Sequence, residues 1–356
     1  MLNNSIRYFL LFVIIIFSSC GDSESTHKSS ADIRKPLSWG KSDVIFIFAD
    51  KMIWDYGKLE IEKSLEREFF TTRNEKLFTL RKEEAKDIKK YYKFANLLFF
   101  CNLNSDNPTS KYVKSVLSNQ SHALSDSIPA KIYISKNLWA QNQIVTFVIG
   151  KDAESLLLHT FEQSDVIFDV FKNRERERLK NLIYKPGLNK KETEYYEQNY
   201  PWQIDLPKQY ITFKRDDENH FVAYLLRVKK YPDRFLAIYW EEMAKNEINK
   251  DWLWNKRLEL GKKYYDADEF SKCDVTQKKV KFLTYDTFKL SGRWQNPDNF
   301  VGGAFTSFAF YDENQKIAYL IDNSVFFPEG NKLRALLALE IISETFKTNY
   351  RENEEN

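Results

Sequence analysis

Residues 304–327, AFTSFAFYDENQKIAYLIDNSVFF, decide the fold of the second half of the chain. Two runs rich in aromatic and β-branched residues, 304–311 and 317–327, flank the polar segment 312–316. Such runs around a short polar segment predict a β-hairpin. Strands are also predicted over 210–214, 220–228, 234–240 and 280–290, and helices over 251–266 and from Pro328 onward. Three strands, a helix, three strands and a helix predict an antiparallel sheet with helices packed on one face.

The first half of the chain has a different pattern. Residues 44–49 (VIFIFA) and 95–103 (ANLLFFCNL) are continuous apolar runs, typical of strands buried on both faces. Between and after them we predict helices over 59–70, 83–92 and 110–117, and a short strand over 77–80. The sequence therefore predicts an α/β-type domain with a mixed sheet, and an α+β fold for the whole chain.

The first half ends in a predicted hairpin and a long helix. Residues 132–139 alternate apolar and polar side chains and precede the strand-like run 144–149. Asp152 is a good N-cap for a helix that we expect to run to about Tyr184, before Pro186 and Gly187. Its charged segment 174–180 is predicted to be a solvated face with ion pairs at i, i+4 spacing.

These patterns divide the chain into six segments. The predicted segments are a signal peptide over 1–19, a flexible tether over 20–42, an N-terminal domain over 43–186, a connector over 187–203, a C-terminal domain over 204–349 and a disordered tail over 350–356.

The first twenty residues predict export and lipidation. After Arg7 comes an apolar run over 8–17, which is too short to cross a bilayer but fits the core of a secretory signal. Ser18 and Ser19 lead directly into Cys20, and a lipoprotein signal requires such a cysteine because its thiol takes the diacylglycerol. We therefore expect Cys20 to carry palmitate-type acyl chains that anchor the protein to the cell envelope, at the outer membrane, facing the periplasm or the cell surface.

Composition excludes one class of function and leaves others open. The chain has 54 Lys and Arg against 51 Asp and Glu, and this near balance argues against a nucleic-acid binder. The 28 Phe, 20 Tyr and 8 Trp could supply stacking platforms for sugars or peptides, although an AT-rich genome would produce the same bias. Cys101 lies in a strand-like run and Cys273 in the other half, so free thiols are favoured over a disulfide.

Four stretches resemble a known family. They lie over 40–54, 128–163, 201–227 and 291–342, and the most specific pieces are Gly292-Arg293-Trp294, then Gly302-Gly303, then Pro328 before the last helix. Together they resemble the bacterial lipoprotein family described as domain of unknown function 4837, over nearly all of the mature chain. The family pattern carries Met-Gly-Gly-Pro where this chain has Val301, Gly302, Gly303 and Ala304. The resemblance implies an anchored envelope protein and brings no known reaction or catalytic residue.

No catalytic, cofactor or metal motif is present in the sequence. There is no nucleophile elbow, P-loop or dinucleotide-binding glycine pattern, so no cofactor is predicted. The four histidines, His27, His122, His159 and His220, lack metal-ligand spacing. Residues 266–269 (DADE) resemble the opening of a calcium loop but lack its central Gly and final Glu, so we interpret them as a solvated helix end.

One group of residues predicts a ligand site. Gly302 and Gly303 suggest close backbone approach or positive φ. Just upstream, Arg293 could bind a carboxylate or phosphate and Trp294 could stack on a ligand. The competing interpretation is a strand-joining loop whose arginine pairs locally.

Three functional hypotheses follow. The first is a non-enzymatic envelope lipoprotein that touches the membrane through its anchor and binds a ligand or an envelope protein. The second is an envelope hydrolase acting on glycan or peptide. The third is a structural factor in envelope assembly.

Overall fold

The computed structural model describes residues 35–118 and 129–348. The predicted signal peptide, Cys20, most of the tether, His27, His122 and the tail lie outside the described residues. The strands are β1 Val44–Phe48, β2 Glu68–Phe70, β3 Asn74–Lys76, β4 Thr79–Glu83, β5 Asn96–Asn102, β6 Ala130–Lys136, β7 Ile144–Gly150, β8 Trp202–Gln203, β9 Ile211–Asp216, β10 Phe221–Leu226, β11 Asp233–Glu242, β12 Val275–Phe282, β13 Tyr285–Asn296, β14 Val301–Asp312, β15 Ile317–Phe326 and β16 Lys347–Thr348. The helices are α1 Lys51–Leu65, α2 Ile88–Tyr91, α3 Pro108–Leu117, α4 Ala153–Glu162, α5 Ser164–Tyr184, α6 Lys190–Asn199, α7 Lys250–Tyr264 and α8 Leu333–Ser343.

The first half forms a mixed sheet of five strands in the order β4-β1-β5-β7-β6. Strands β4, β1, β5 and β7 are parallel, and β6 pairs antiparallel with β7. Every residue of β5 and β7 is buried, because these continuous apolar strands have helices on both faces of the sheet. The predicted mixed sheet is confirmed.

The second half forms an antiparallel sheet of seven strands in the order β12-β13-β14-β15-β11-β10-β9. The hairpin predicted from residues 304–327 is formed by β14 and β15 and lies at the centre of this sheet. It pairs Ala304 with Val325 and Asp312 with Ile317. The predicted α+β class with an antiparallel C-terminal sheet is confirmed.

One core connects the two sheets. Helices α5 and α8 bury side chains in the same cluster as one face of each sheet, for example Phe171, Ile342, Leu98 and Tyr319. A second cluster covers the other face of the first sheet, under α3. A third lies between α7 and the other face of the second sheet. Because α7 and α8 lie on opposite faces of the second sheet, the prediction of helices on one face was wrong.

Three element predictions need correction. The helix predicted over 59–70 begins at Lys51, because the Asp50 side chain accepts the backbone N–H of Ile53 at 2.8 Å and caps it there. It ends at Leu65, and residues 68–70 form strand β2. The long helix predicted to Tyr184 is broken at Gln163 into α4 and α5. The last helix begins at Leu333 rather than at Pro328.

The strand predicted over 280–290 is in fact a hairpin. Strand β12 ends at Phe282 and β13 begins at Tyr285, with Leu283 at a φ of 54° in the turn. Strand β12 is at the edge of the sheet, and four of its eight residues are exposed. This hairpin raises the sheet from six predicted strands to seven.

Other features are local. Asp152 caps α4 in a reciprocal capping box with Ser155, as predicted. Cys101 is a buried free thiol whose pKa is raised by burial to about 11, and Cys273 is an exposed free thiol. In the described ranges, no helix has the length and apolar character to cross a membrane, and no cluster of three His, Cys, Asp or Glu side chains could hold a metal ion.

Candidate functional site

The structure places the four predicted site residues on adjacent strands rather than in a loop. Trp294 on β13 pairs with Gly303 on β14, and Gly302 pairs with Gln295. Arg293 is next to Trp294 along the strand, so its side chain points to the opposite face of the sheet. There its Nη2 binds Asp274 Oδ1 at 2.8 Å. The side chains of Trp294 and Arg293 therefore lie on opposite faces of the sheet. Three of the four predicted residues, Arg293, Trp294 and Gly302, still line one open pocket of about 340 Å³, together with Pro328 and Lys332.

Gly303 is required by close approach. A Cβ there would lie 2.1 Å from the carbonyl oxygen of Val325 and 2.7 Å from the Trp294 ring. At Gly302 a Cβ would lie 2.8 Å from the carbonyl oxygen of Trp294. Neither glycine has a positive φ, since Gly40 and Gly187 are the glycines with that conformation in the described residues. The absence of a side chain at Gly303 lets the indole of Trp294 pack closely against the next strand.

Trp294 forms part of a pocket of about 310 Å³, which we call the aromatic pocket. Six rings line it: Phe213, Phe235, Tyr264, Tyr265, Trp294 and Phe326. Its polar lining is Arg227, Asp266, Asp268, Asn296, Asn299 and Ser324. The Trp294 indole N–H is buried and has no hydrogen-bond partner among the described residues. Buried donors are almost always paired with protein, water or a ligand, so this one requires an acceptor.

Asp268 is a carboxyl group of the aromatic pocket whose pKa is raised. Burial raises its pKa to about 6, against a hydrogen bond of 3.0 Å from Asn296 Nδ2 that acts to lower it. The loop that carries it turns through Asp266 and Ala267, both at positive φ. A Cβ on Gly261 of α7 would lie 2.3 Å from the Asp268 carbonyl oxygen, so the glycine lets this loop fold against the helix. The interpretation of 266–269 as a solvated helix end was wrong for Asp268, which is half-buried.

Apolar side chains surround the mouth of the aromatic pocket. Phe213 on the edge strand β9 is 50% exposed, and Val301 is 37% exposed. Phe300, in the β13–β14 turn between the lining residues Asn299 and Val301, is 93% exposed. Exposed apolar groups gathered at one pocket are typical of a binding site.

A second, larger cavity of about 740 Å³ lies between the two sheets, and we call it the inter-sheet cleft. It is lined by α5 and α8, by β10 and the segment that follows it, and by residues 75–77 and Asp43. Its apolar lining is Leu77, Leu179, Leu182, Ile183, Pro186, Leu226, Val228, Tyr231, Pro232, Phe327, Leu333, Ala335 and Ala338. Its charged lining is Asp43, Glu75, Lys76, Glu175, Lys185, Lys230, Arg234 and Arg334.

One wall of the inter-sheet cleft contains buried charge. Glu175 is 2% exposed and accepts from Arg334 Nη2 at 2.8 Å and from Ser42 Oγ at 3.1 Å. Burial raises the pKa of Glu175, and the charges of Arg334 and Arg178 oppose that shift. Arg178 donates to Asn96 and to the Ala95 carbonyl, and burial lowers its pKa to about 10. The prediction of a solvated face over 174–180 was therefore wrong for Arg174, Glu175 and Arg178.

Sequence reasoning missed the cleft, although a signal was present. Phe171, Glu175, Leu179 and Ile183 follow one another at four-residue spacing, which places Glu175 on the inner stripe of the helix. A carboxylate on an apolar stripe indicates a buried partner. One partner, Arg178, lies three residues along the same helix at 3.5 Å. The other, Arg334, lies 159 positions away, and no local pattern identifies it.

The two histidines within the described residues line neither the aromatic pocket nor the inter-sheet cleft. His220 lies in the turn before β10 at a φ of 50° and stacks on Trp240, with 5.4 Å between ring centroids. His159 lies in α4.

Fold and cavities define an α+β protein of two sheets with an aromatic pocket on the second sheet and a cleft between the two. Residues 189–345 match the model of the family described as domain of unknown function DUF4837. The resemblance predicted from sequence is confirmed there. It does not extend over the first half, because residues 38–184 match a different model, domain of unknown function DUF8532.

None of the curated proteins is a significant match. Among solved structures, LpqN of Mycobacterium tuberculosis, described as involved in cell envelope biogenesis, aligns at a TM-score of 0.25 with 10% identity. The alignment covers 41% of this chain and 81% of LpqN. At that TM-score the likeness carries no conclusion for this chain.

Proposed function

We propose that this chain is an exported lipoprotein, anchored in the cell envelope through Cys20, that binds a glycan in the aromatic pocket. The observation that carries the proposal is the combination of six aromatic rings with carboxylate and amide side chains in one pocket. Aromatic faces stack on the C–H faces of sugar rings. The polar groups would exchange hydrogen bonds with sugar hydroxyls.

Anchoring is tested by changing the lipidated residue. The Cys20→Ala chain should appear in the soluble envelope fraction, whereas the wild-type chain should sediment with outer membranes and partition into detergent. Membrane association that survives the substitution would contradict anchoring through Cys20. Crosslinking in intact cells, with Cys20→Ala as the unanchored control, would identify an envelope protein that the anchored chain contacts.

Glycan binding is tested by calorimetry with soluble peptidoglycan fragments and with neutral oligosaccharides. Asp268→Asn removes a charged acceptor from the pocket and should weaken binding about tenfold, which is about 1.4 kcal/mol. Trp294→Phe removes the indole N–H and should weaken binding in the same direction. Asp298→Asn and Trp39→Phe change exposed residues outside the pocket lining and serve as matched controls. Absence of saturable glycan binding, or equal affinity in all four variants, would contradict the proposal.

Asp268 favours one second candidate, a glycan hydrolase. With a pKa of about 6 this carboxyl holds a proton close to neutral pH, as a general acid must, and Asp266 supplies another carboxylate to the same pocket. A hydrolase should release reducing ends from envelope glycan, and its rate should fall as the pH rises above 6. Tight glycan binding with no release of reducing ends, at any pH from about 5 to 8, would contradict the hydrolase candidate and support binding as the function.

A further inference from the structure

We propose that the inter-sheet cleft is a second binding site, and that its ligand is an anionic amphiphile with one acyl chain. The cleft shares no lining residue with the aromatic pocket. The inference therefore stands independently of glycan binding.

Solvent-exposed apolar side chains at the cleft indicate that most of the ligand is apolar. Leu182 on α5 is 62% exposed, Val228 after β10 is 44% exposed and Tyr231 is 65% exposed. All three line the cleft, whose inner walls are the apolar side chains of α5, α8 and β10. An acyl chain lying in the cleft would remove these surfaces from water, which is the main source of affinity for such ligands.

The charges of the cleft indicate the sign of the head group. Lys185, Lys230 and Arg234 have no ion-pair partner among the described residues. Two of the three carboxylates in the lining of the cleft already have partners within the protein. Glu175 binds Arg334, and Glu75 accepts backbone N–H groups of α8. Asp43 is the remaining carboxylate of the lining, so the uncommitted charge is positive.

Arg234 is the best candidate to bind the head group. Its Nε is buried and has no hydrogen-bond partner among the described residues. Tyr210 is next to it: burial raises the pKa of the Tyr210 hydroxyl, while the charge of Arg234 and a hydrogen bond with it act to lower that pKa. Buried donors without acceptors are costly, and a guanidinium matches a carboxylate with two parallel hydrogen bonds. A carboxylate head group would satisfy Arg234.

The test uses dodecanoate below its critical micelle concentration and the full folded chain. Isothermal calorimetry should show saturable binding near one ligand per chain, weakened by added salt. Acetate and dodecyltrimethylammonium should bind at least tenfold more weakly, because one lacks the acyl chain and the other reverses the head-group charge. Equal binding of either compound would overturn the proposal.

Two variants locate the site. Arg234→Gln should weaken dodecanoate binding about tenfold, and Leu182→Asp, at a side chain exposed enough for the fold to tolerate it, should weaken it at least as much. Arg293→Gln removes an arginine outside the cleft and Asp268→Asn alters the aromatic pocket, so both should bind dodecanoate as the wild type does. Unchanged affinity in Arg234→Gln and Leu182→Asp, with circular dichroism showing folded protein, would overturn the assignment to this cleft.

Discussion

Arg257 on α7 and Asp322 on β15 form an ion pair in the interior, with 2.9 Å between Nε and Oδ1 and side chains that are 1% and 0% exposed. Ser307 on β14 donates to the same carboxylate oxygen. The guanidinium also lies over the rings of Tyr265 and Phe305, each centroid 4.9 Å away. Since Tyr265 lines the aromatic pocket, this pair joins the helix that carries the pocket loop to the centre of the sheet.

Removing one partner of this pair should be far more destabilising than breaking a surface pair. Arg257→Met leaves the carboxylate of Asp322 buried and uncompensated, which typically costs about 3–5 kcal/mol. Asp322→Asn in the same chain should recover part of the loss, because no charge then remains buried. The matched control is Arg293→Met, whose pair with Asp274 is 41% and 21% exposed and should contribute about 0–1 kcal/mol. Urea unfolding measures the free energy of unfolding of Arg257→Met, of the double variant and of Arg293→Met. Equal losses of stability in Arg257→Met and Arg293→Met would contradict this account.

Glu75 should stabilise the start of α8 from a distant part of the sequence. Its carboxylate accepts the N–H groups of Lys332 and Leu333 at 2.8 Å and the Thr71 hydroxyl at 2.6 Å, and it is 3% exposed. Glu75→Ala leaves these helix N–H groups buried without acceptors, so we expect a loss of about 2–3 kcal/mol in the free energy of unfolding.

The control for Glu75 is a neighbouring carboxylate of the same hairpin. Glu68 is exposed and binds the side chain of Asn74. Glu68→Ala should therefore change stability by less than about 0.5 kcal/mol. Chemical denaturation measures the free energy of unfolding of both variants. If Glu68→Ala loses as much stability as Glu75→Ala, the capping role of Glu75 is contradicted.

Strong local patterns made most of the fold predictable. The apolar runs of β1, β5 and β7, the hairpin of β14 and β15, and the Asp152 cap each depend on neighbouring residues. Long-range contacts decided the rest. The start of α8 depends on Glu75, and the placement of α7 and α8 on opposite faces of the sheet depends on which residues meet in space.

The candidate sites were less predictable for the same reason. Trp294 was grouped with Gly302 and Gly303 because it lies just upstream of them in the sequence, and the structure places it directly across from Gly303. Asp268 and Arg234 were missed, because their chemistry depends on burial rather than on sequence spacing. Arg293 was grouped with Trp294 by its position in the sequence, and the alternation of side chains along β13 separates the two.

Gly303→Ala should damage the packing around Trp294. The added Cβ would lie 2.1 Å from the Val325 carbonyl oxygen, so the strands would have to separate, at a cost of about 1–3 kcal/mol or more. Gly302→Ala provides a graded comparison, since its closest contact is 2.8 Å. The melting temperature should be lowest for Gly303→Ala, intermediate for Gly302→Ala and highest for the wild type. The reverse order would show that the strand contact at Gly303 is not the tightest.

The stability of the protein should depend on pH through Asp268. Its pKa is raised in the folded chain to about 6 from an ordinary value of 3.8, so folding favours the protonated carboxyl. The contribution is fully present below pH 3.8 and is lost as the pH rises through 6. Asp268→Asn keeps the neutral shape at every pH and should raise the free energy of unfolding at pH 7.5 by about 1 kcal/mol, after allowance for partial solvent screening.

The advantage of Asp268→Asn should shrink as the pH is lowered and disappear near pH 4, where the wild-type carboxyl is also protonated. Asp298→Asn, at an exposed aspartate in the nearby β13–β14 turn, should show no such trend. Denaturant unfolding between pH 4 and pH 7.5 separates the two aspartates. A stability difference that stays constant over this range would mean that Asp268 is ionised throughout, which would also remove the general-acid role from the hydrolase alternative.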